Sequence, residues 1–160
     1  MSQEILSVTV VDSASKPMEL VKREMVDLDF HERGNVHPKN KFTLLAKDAD
    51  STRFRQEVKI FGLPQVDEVV LRETPDGKVV QDVIAGTNKG TQITFAFQSE
   101  GSQSTRVWLT IALPLKGIKK LLRPLVRLVV RRAASKGLRE DMQALENGRY
   151  EEFLAKSARQ

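Results

Sequence analysis

There is no cysteine in the 160 residues. A disulfide framework, a thiolate nucleophile, a zinc ribbon and a cysteine-ligated iron–sulfur cluster are therefore all excluded on this chain. Histidine is scarce, His31 and His37 being the only two, and there is one tryptophan and one tyrosine. Long apolar runs are missing as well. No stretch reaches the roughly 18 uninterrupted apolar residues of a membrane span. The opening, MSQEILSVTVVDS, has no basic segment followed by an apolar one, so a signal peptide is not expected. Glycine is not arranged to cradle phosphates, since Gly86 to Gly90 (GTNKG) lacks the Walker spacing, and no serine sits in G-x-S-x-G. The expected protein is soluble and cytoplasmic, with no cofactor.

What is present is an ordinary globular composition, 40% hydrophobic and 29% charged, with a net charge of +5. The length predicts one domain over residues 1–160. The positive charge is concentrated: Lys116, Lys119, Lys120, Arg123, Arg127, Arg131, Arg132, Lys136 and Arg139 follow one another without an intervening acid.

The apolar residues alternate over most of the chain, which predicts strands. Ile5–Val11 is the first. Lys41–Lys47, Thr52–Phe61, Asp67–Glu73, Lys78–Ile84, Gly90–Gln98 and Arg106–Ala112 follow, separated by short turns such as Thr74-Pro75-Asp76-Gly77. Gly62-Leu63-Pro64 is read as the end of the third. A helix is predicted over Met18–Val26, and Asp27–Asn40 is irregular, with room for one helical turn. From Leu115 onward an apolar stripe (Ile118, Leu121, Leu122, Leu125, Val129, Leu138, Met142, Leu145) recurs at helical spacing. Pro124 either kinks this helix or marks the start of its main part. The expected fold is α+β: a curved antiparallel sheet of six to seven strands wrapped around a long C-terminal helix whose apolar stripe packs on the sheet.

This order of parts resembles the START-like, or helix-grip, superfamily, which includes polyketide cyclase/dehydrase-like proteins. The tail LPLKGIKKLLRPLVRLVVRRAASKGLREDMQALENG and the preceding GTQITFAFQSEGS…STRVWLTIALP carry the resemblance most specifically. It implies a cavity between sheet and helix that binds an apolar or aromatic small molecule, in some members with its cyclisation or dehydration.

By alternation the cavity side holds Phe54, Gln56, Val58, Ile93, Phe95, Phe97, Val107, Leu109 and Ile111, and the helix offers Leu125, Val129, Leu138 and Met142. Trp108 points the other way. Gln56 either orients a ligand or reaches water at a strand end, and His31 is the candidate for proton transfer. A competing expectation is metal. Two imidazoles and a carboxylate form the facial triad of non-haem iron sites. Asp27-x3-His31-x5-His37, with Asp141 on the last helix, resembles the Asp-x-x-His-x4-His segment and terminal-helix Asp of Rieske-type ring hydroxylases, each interval one residue longer. A third expectation concerns partners. The basic face (Lys119, Arg123, Arg127, Arg131) is either solvated or attracted to anionic membranes, and no nucleic acid is expected, because no binding signature is present.

Overall fold

The computed structural model describes residues 4–60 and 62–159. Seven strands form one antiparallel sheet: β1 (Ile5–Ala14), β2 (Asn40–Lys47), β3 (Ser51–Ile60), β4 (Leu63–Glu73), β5 (Val79–Gly86), β6 (Gln92–Ser99) and β7 (Thr105–Pro114). Their order is β1-β7-β6-β5-β4-β3-β2. Strands β2 to β7 are a meander, and β1 closes beside β7 at the far edge. Phe61, the expected end of the third strand, lies outside the described residues.

Alternation sets which face is buried. On β1, Leu6, Val8 and Val10 are buried while Ile5, Ser7, Thr9 and Val11 face outward. The register carries the same face across the sheet: Val10 lies opposite Leu109, and Leu109 opposite Phe95. Breaks in register between Leu44 and Ala46 and between Glu68 and Val69 are the bulges that help a sheet bend.

Two short helices, α1 (Met18–Val26) and α2 (Leu28–Arg33), connect β1 to β2, and α3 (Ile118–Leu121), α4 (Arg123–Glu146) and α5 (Arg149–Ser157) follow β7. The helix-grip arrangement expected from the sequence is present: a curved antiparallel sheet and a long C-terminal helix. Pro124 does not kink α4 but lies in its first turn, where its missing N–H has no intrahelical partner to lose.

Three expectations need correction. The third strand ends before Gly62 as expected, but the next begins earlier than Asp67: β4 starts at Leu63, and Pro64 stands opposite Lys59. Pro64 is tolerated because β5 joins β4 only from Asp67 onward, so its side toward β5 demands no N–H there. The irregular segment contains a complete helix, α2, capped by Asp27, whose carboxylate accepts from Phe30 N at 3.1 Å. Finally, the apolar stripe of the last helix does not pack on the sheet along its whole length. Ala134, Leu138, Met142, Ala144 and Leu145 are buried, whereas Ile118, Leu121, Leu122, Leu125 and Leu128 are exposed.

Candidate functional site

A cavity of about 590 Å³ lies between the concave sheet face and α4. Its walls are chiefly apolar. Phe42, Phe54, Val58, Val69, Leu71, Val83, Ile93, Phe95, Leu109, Ile111 and Leu113 come from six strands, Met25 and Leu28 from the α1–α2 segment, and Val129, Val130, Ala133, Ala134 and Leu138 from α4.

Polar groups meet at one wall: His31, His37, Glu140 and Asp141 all line the cavity. Their positions follow from local packing. His31 is on α2, which is held down by Phe30. That ring packs 4.8 Å from Tyr150 and 5.2 Å from Phe153 of α5. Tyr150 in turn donates to Asp27, the α2 cap, at 3.0 Å. Burial, followed by the Asp27 charge, holds the Tyr150 hydroxyl above its usual range. His37 sits in the turn before β2, where its carbonyl accepts from Asn40 N at 2.9 Å. Glu140 and Asp141 are neighbours on α4.

The outer nitrogens of the two rings are tied down. His31 Nε2 lies 3.0 Å from the Glu24 carbonyl oxygen, and an acceptor there makes Nε2 the donor. Nδ1 then carries the lone pair, and it faces Asp141 Oδ1 at 3.8 Å. His37 Nδ1 donates to Glu140 Oε2 at 2.8 Å, and its Nε2 lies 2.9 Å from the same Asp141 Oδ1. That approach is too oblique to satisfy the oxygen, which is buried and lacks an aligned donor. His31 Nδ1, His37 Nε2 and Asp141 Oδ1 thus turn toward one another, their ligand atoms within 4.8 Å.

The same surroundings drive the two histidines apart. Burial lowers the His31 pKa, an effect the nearby Asp141 only partly opposes. Burial acts on His37 in the same direction, but the Asp141 and Glu140 carboxylates outweigh it and raise His37 to about 9. At neutral pH the pair is one neutral imidazole stacked on one imidazolium. Behind His31, Glu24 is fully buried with neither carboxyl oxygen hydrogen-bonded. Burial, then repulsion from Asp141 and Asp27, raises its pKa well above the ordinary carboxyl range.

A second polar group lies on the sheet side. Gln56, Asp67, Gln81, Asn88 and Thr91 line the cavity. Asp67 accepts from Asn88 N and Nδ2, both at 2.7 Å, which pins the β5–β6 turn to β4. Thr91 Oγ1 is buried without a partner.

Of the residues expected at the cavity from the sequence, Phe54, Gln56, Val58, Ile93, Phe95, Leu109, Ile111, Val129 and Leu138 line it, as do His31, His37 and Asp141. Val107 and Met142 are buried in the core and do not line it, and Phe97 packs at the core's edge with Lys22 Nζ 5.7 Å from its ring. Leu125 is 53% exposed, because α4 turns that side away from the sheet. Trp108 is absent from the lining, in keeping with its outward alternation. Glu24, Glu140, Asp67 and Thr91 were not singled out by sequence reasoning. Thr91 and Asp67 carried a signal, Thr91 in step with Ile93 and Phe95 and Asp67 in step with Val69 and Leu71.

No protein-family model matches the chain. No curated protein matches it either. Solved structures do. TTHA0849 from Thermus thermophilus superposes with a TM-score of 0.75 at 22% identity, over 88% of this chain and 99% of that one. The Zhui aromatase/cyclase from Streptomyces sp. R1128 superposes with a TM-score of 0.71 at 13% identity, over 92% of this chain and 94% of its own. A START superfamily protein from Mycobacterium smegmatis gives 0.68 at 18% identity, over 92% and 98%. At these identities the likeness establishes the fold: the chain has the fold of START superfamily and aromatase/cyclase structures.

Proposed function

We propose that the protein binds an apolar or aromatic small molecule between sheet and helix and transfers protons to and from it at the His31–His37 wall. The observation that carries this reading is the stacked pair of histidines in one wall of an otherwise apolar cavity, His31 tied to a backbone carbonyl and His37 set between the Glu140 and Asp141 carboxylates, surroundings that drive their pKa values in opposite directions. Groups whose surroundings push their pKa values apart are the usual mark of an acid–base pair. Neutral His31 offers a lone pair at Nδ1 to take a proton, and the His37 imidazolium can give one. Cyclisation by carbonyl addition and dehydration of a hydroxyl both need such a pair, and the likeness to an aromatase/cyclase structure supports that class. Gln56 and Thr91, which line the cavity, would orient a polar substituent of the ligand. The test is a fluorescence titration with 1-anilinonaphthalene-8-sulfonate and a panel of aromatic polyketides. Saturable binding that weakens in Ile93→Trp, whose larger ring narrows the cavity, supports the reading. Binding that Ile93→Trp leaves intact removes it.

A second reading is a divalent metal centre. It is favoured by three ligand atoms turned toward one another, with each imidazole's other nitrogen held by an acceptor, the outer-shell arrangement of metal-binding histidines. His31 Nδ1, His37 Nε2 and Asp141 Oδ1 would hold the ion, and two imidazoles with one carboxylate suit iron(II). Calorimetric titration with iron(II) under anaerobic conditions decides it. One tight equivalent that is lost in His31→Ala favours metal, and no heat of binding leaves the proton-transfer reading alone.

A further inference from the structure

Helix α3 and the first turns of α4 leave apolar side chains without cover. Val126 and Val130 pack against the small cluster of Leu6, Val8, Leu113 and Leu115 at the end of β1 and β7. The opposite side is open: Leu121 is 84% exposed, Ile118 69%, and Leu122, Leu125 and Leu128 are exposed with them. Ile118 and Leu121, three apart, share one side of α3, Leu122 is the junction residue, and Leu125 and Leu128, again three apart, share one side of α4, so the exposed aliphatics cluster along this stretch. An exposed cluster of large aliphatics marks an interaction surface more often than chance.

The charge around this face has one sign. No acid occurs from Lys116 to Arg139. Arg123 is paired with Glu4 at 2.6 Å. Lys116, Lys119, Lys120, Arg127, Arg131 and Arg132 have no ion-pair partner among the described residues. On α4, Arg131 borders Leu128 three residues on, and Arg127 and Arg123 continue around the helix from it, so the apolar strip has a cationic flank on one side and the packed Val126 and Val130 on the other. A second copy of the chain docked on it would bring together two segments that are each rich in cations and free of acids, which like-charge repulsion opposes. A nucleic acid would satisfy the cations and leave the leucines in water. A bilayer carrying anionic lipid satisfies both at once: acyl chains take the leucines and headgroups take the lysines and arginines.

We propose that this face docks on anionic phospholipid membranes as an in-plane amphipathic helix. No helix among the described residues is long and apolar enough to cross a membrane, so the attachment is peripheral. The docking face adjoins the cavity: Val129, Val130, Arg132 and Ala133 line it, one turn beyond Leu125 and Leu128. A docked molecule holds that wall next to the bilayer, where apolar ligands concentrate.

The test is co-sedimentation of the full chain with vesicles of phosphatidylcholine alone and of phosphatidylcholine mixed with phosphatidylglycerol. Binding is expected with the mixed vesicles, weakening as salt is raised. Leu121→Asp should weaken it about ten-fold or more, and Arg127→Glu with Arg131→Glu by a similar factor. Because Leu121 is exposed, the circular dichroism of Leu121→Asp should match the parent. As a second measure, Leu121→Trp should shift its emission to the blue on adding mixed vesicles. Equal recovery with both vesicle types at low salt, or undiminished binding by Leu121→Asp, overturns the proposal. So does a concentration-dependent dimer that Leu121→Asp dissolves in the absence of any vesicle binding.

Discussion

His31 and His37 stack face to face, ring centroids 5.3 Å apart and planes 8° from parallel. Both rings lie beside one carboxylate, Asp141, yet their side chains come from different elements, α2 and the turn that precedes β2. Two imidazoles stacked this closely cannot both carry a proton without strong repulsion, so the pair divides the charge. The adjacent Glu140 decides which ring holds it, since His37 alone reaches that second carboxylate.

This division sets a pH dependence for the metal-free protein. His37 is raised in the folded state to about 9 from an ordinary value of 6.5. A raised pKa on a base means that the folded protein holds the proton more tightly than the unfolded chain. The stabilisation is full below the unfolded pKa and is lost as pH climbs through the folded one. Between pH about 6.5 and 9.5 we expect a loss on the order of 2–3 kcal/mol from this group. Urea unfolding across that window measures it, with His37→Gln as the reference. The difference between the two curves should shrink as pH rises; a constant difference contradicts the assignment of the proton to His37.

Glu24 gives a second prediction with the same sign of pH dependence. Its carboxyl is buried without a hydrogen bond and its pKa is raised, so the folded state resists its ionisation. For an acid shifted upward, stability falls as pH rises above the unfolded value. Glu24→Gln keeps the shape and removes the titration. Its thermal midpoint at mildly alkaline pH should equal or exceed that of the parent, with a flatter pH profile. A loss greater than about 1 kcal/mol would mean that the carboxyl makes a contact that an amide cannot replace.

Gly86 is a structural requirement of the cavity's sheet wall. Its φ is +104°, and a Cβ there would fall 2.1 Å from the Val66 carbonyl oxygen and 2.7 Å from Asp67 Cα. Gly86→Ala should destabilise by about 2–4 kcal/mol, combining backbone strain with displacement of β4. The midpoint of chemical unfolding reports this. A shift below about 0.5 kcal/mol would show that the turn relaxes freely.

The sheet was legible because alternation is a direct record of burial: Phe54, Ile93, Phe95, Leu109 and Ile111 all line the cavity from positions in step along their strands. The helix was less so. Periodicity marks an apolar face but does not say what covers it, and Leu125 belongs to the same stripe as Leu138 yet faces outward. The site's two histidines and Asp141 were visible as residue types, and the fold brings them together. Glu24 and Glu140 were not, because their importance comes from packing: one is buried against a histidine by α1, the other reaches a turn 103 residues away in sequence. The helix α5, which locks α2 through Tyr150 and Phe30, is separated from α4 by Asn147-Gly148, a stop signal that the apolar periodicity ran across; Gly148 takes φ +69° there.

The central claim is that an apolar ligand enters the cavity and meets the histidine pair. It is tested most directly by heteronuclear NMR of the imidazole side chains during titration with 2-naphthol, an aromatic bicycle with one hydroxyl. The account predicts saturable shifts of the His31 and His37 ring signals together with the methyls of Val83 and Ile93, with the imidazole and Val83 shifts saturating only at higher ligand concentration in Ile93→Trp. Shifts confined to exposed residues, or cavity methyls that respond while both imidazoles stay unmoved, would contradict it.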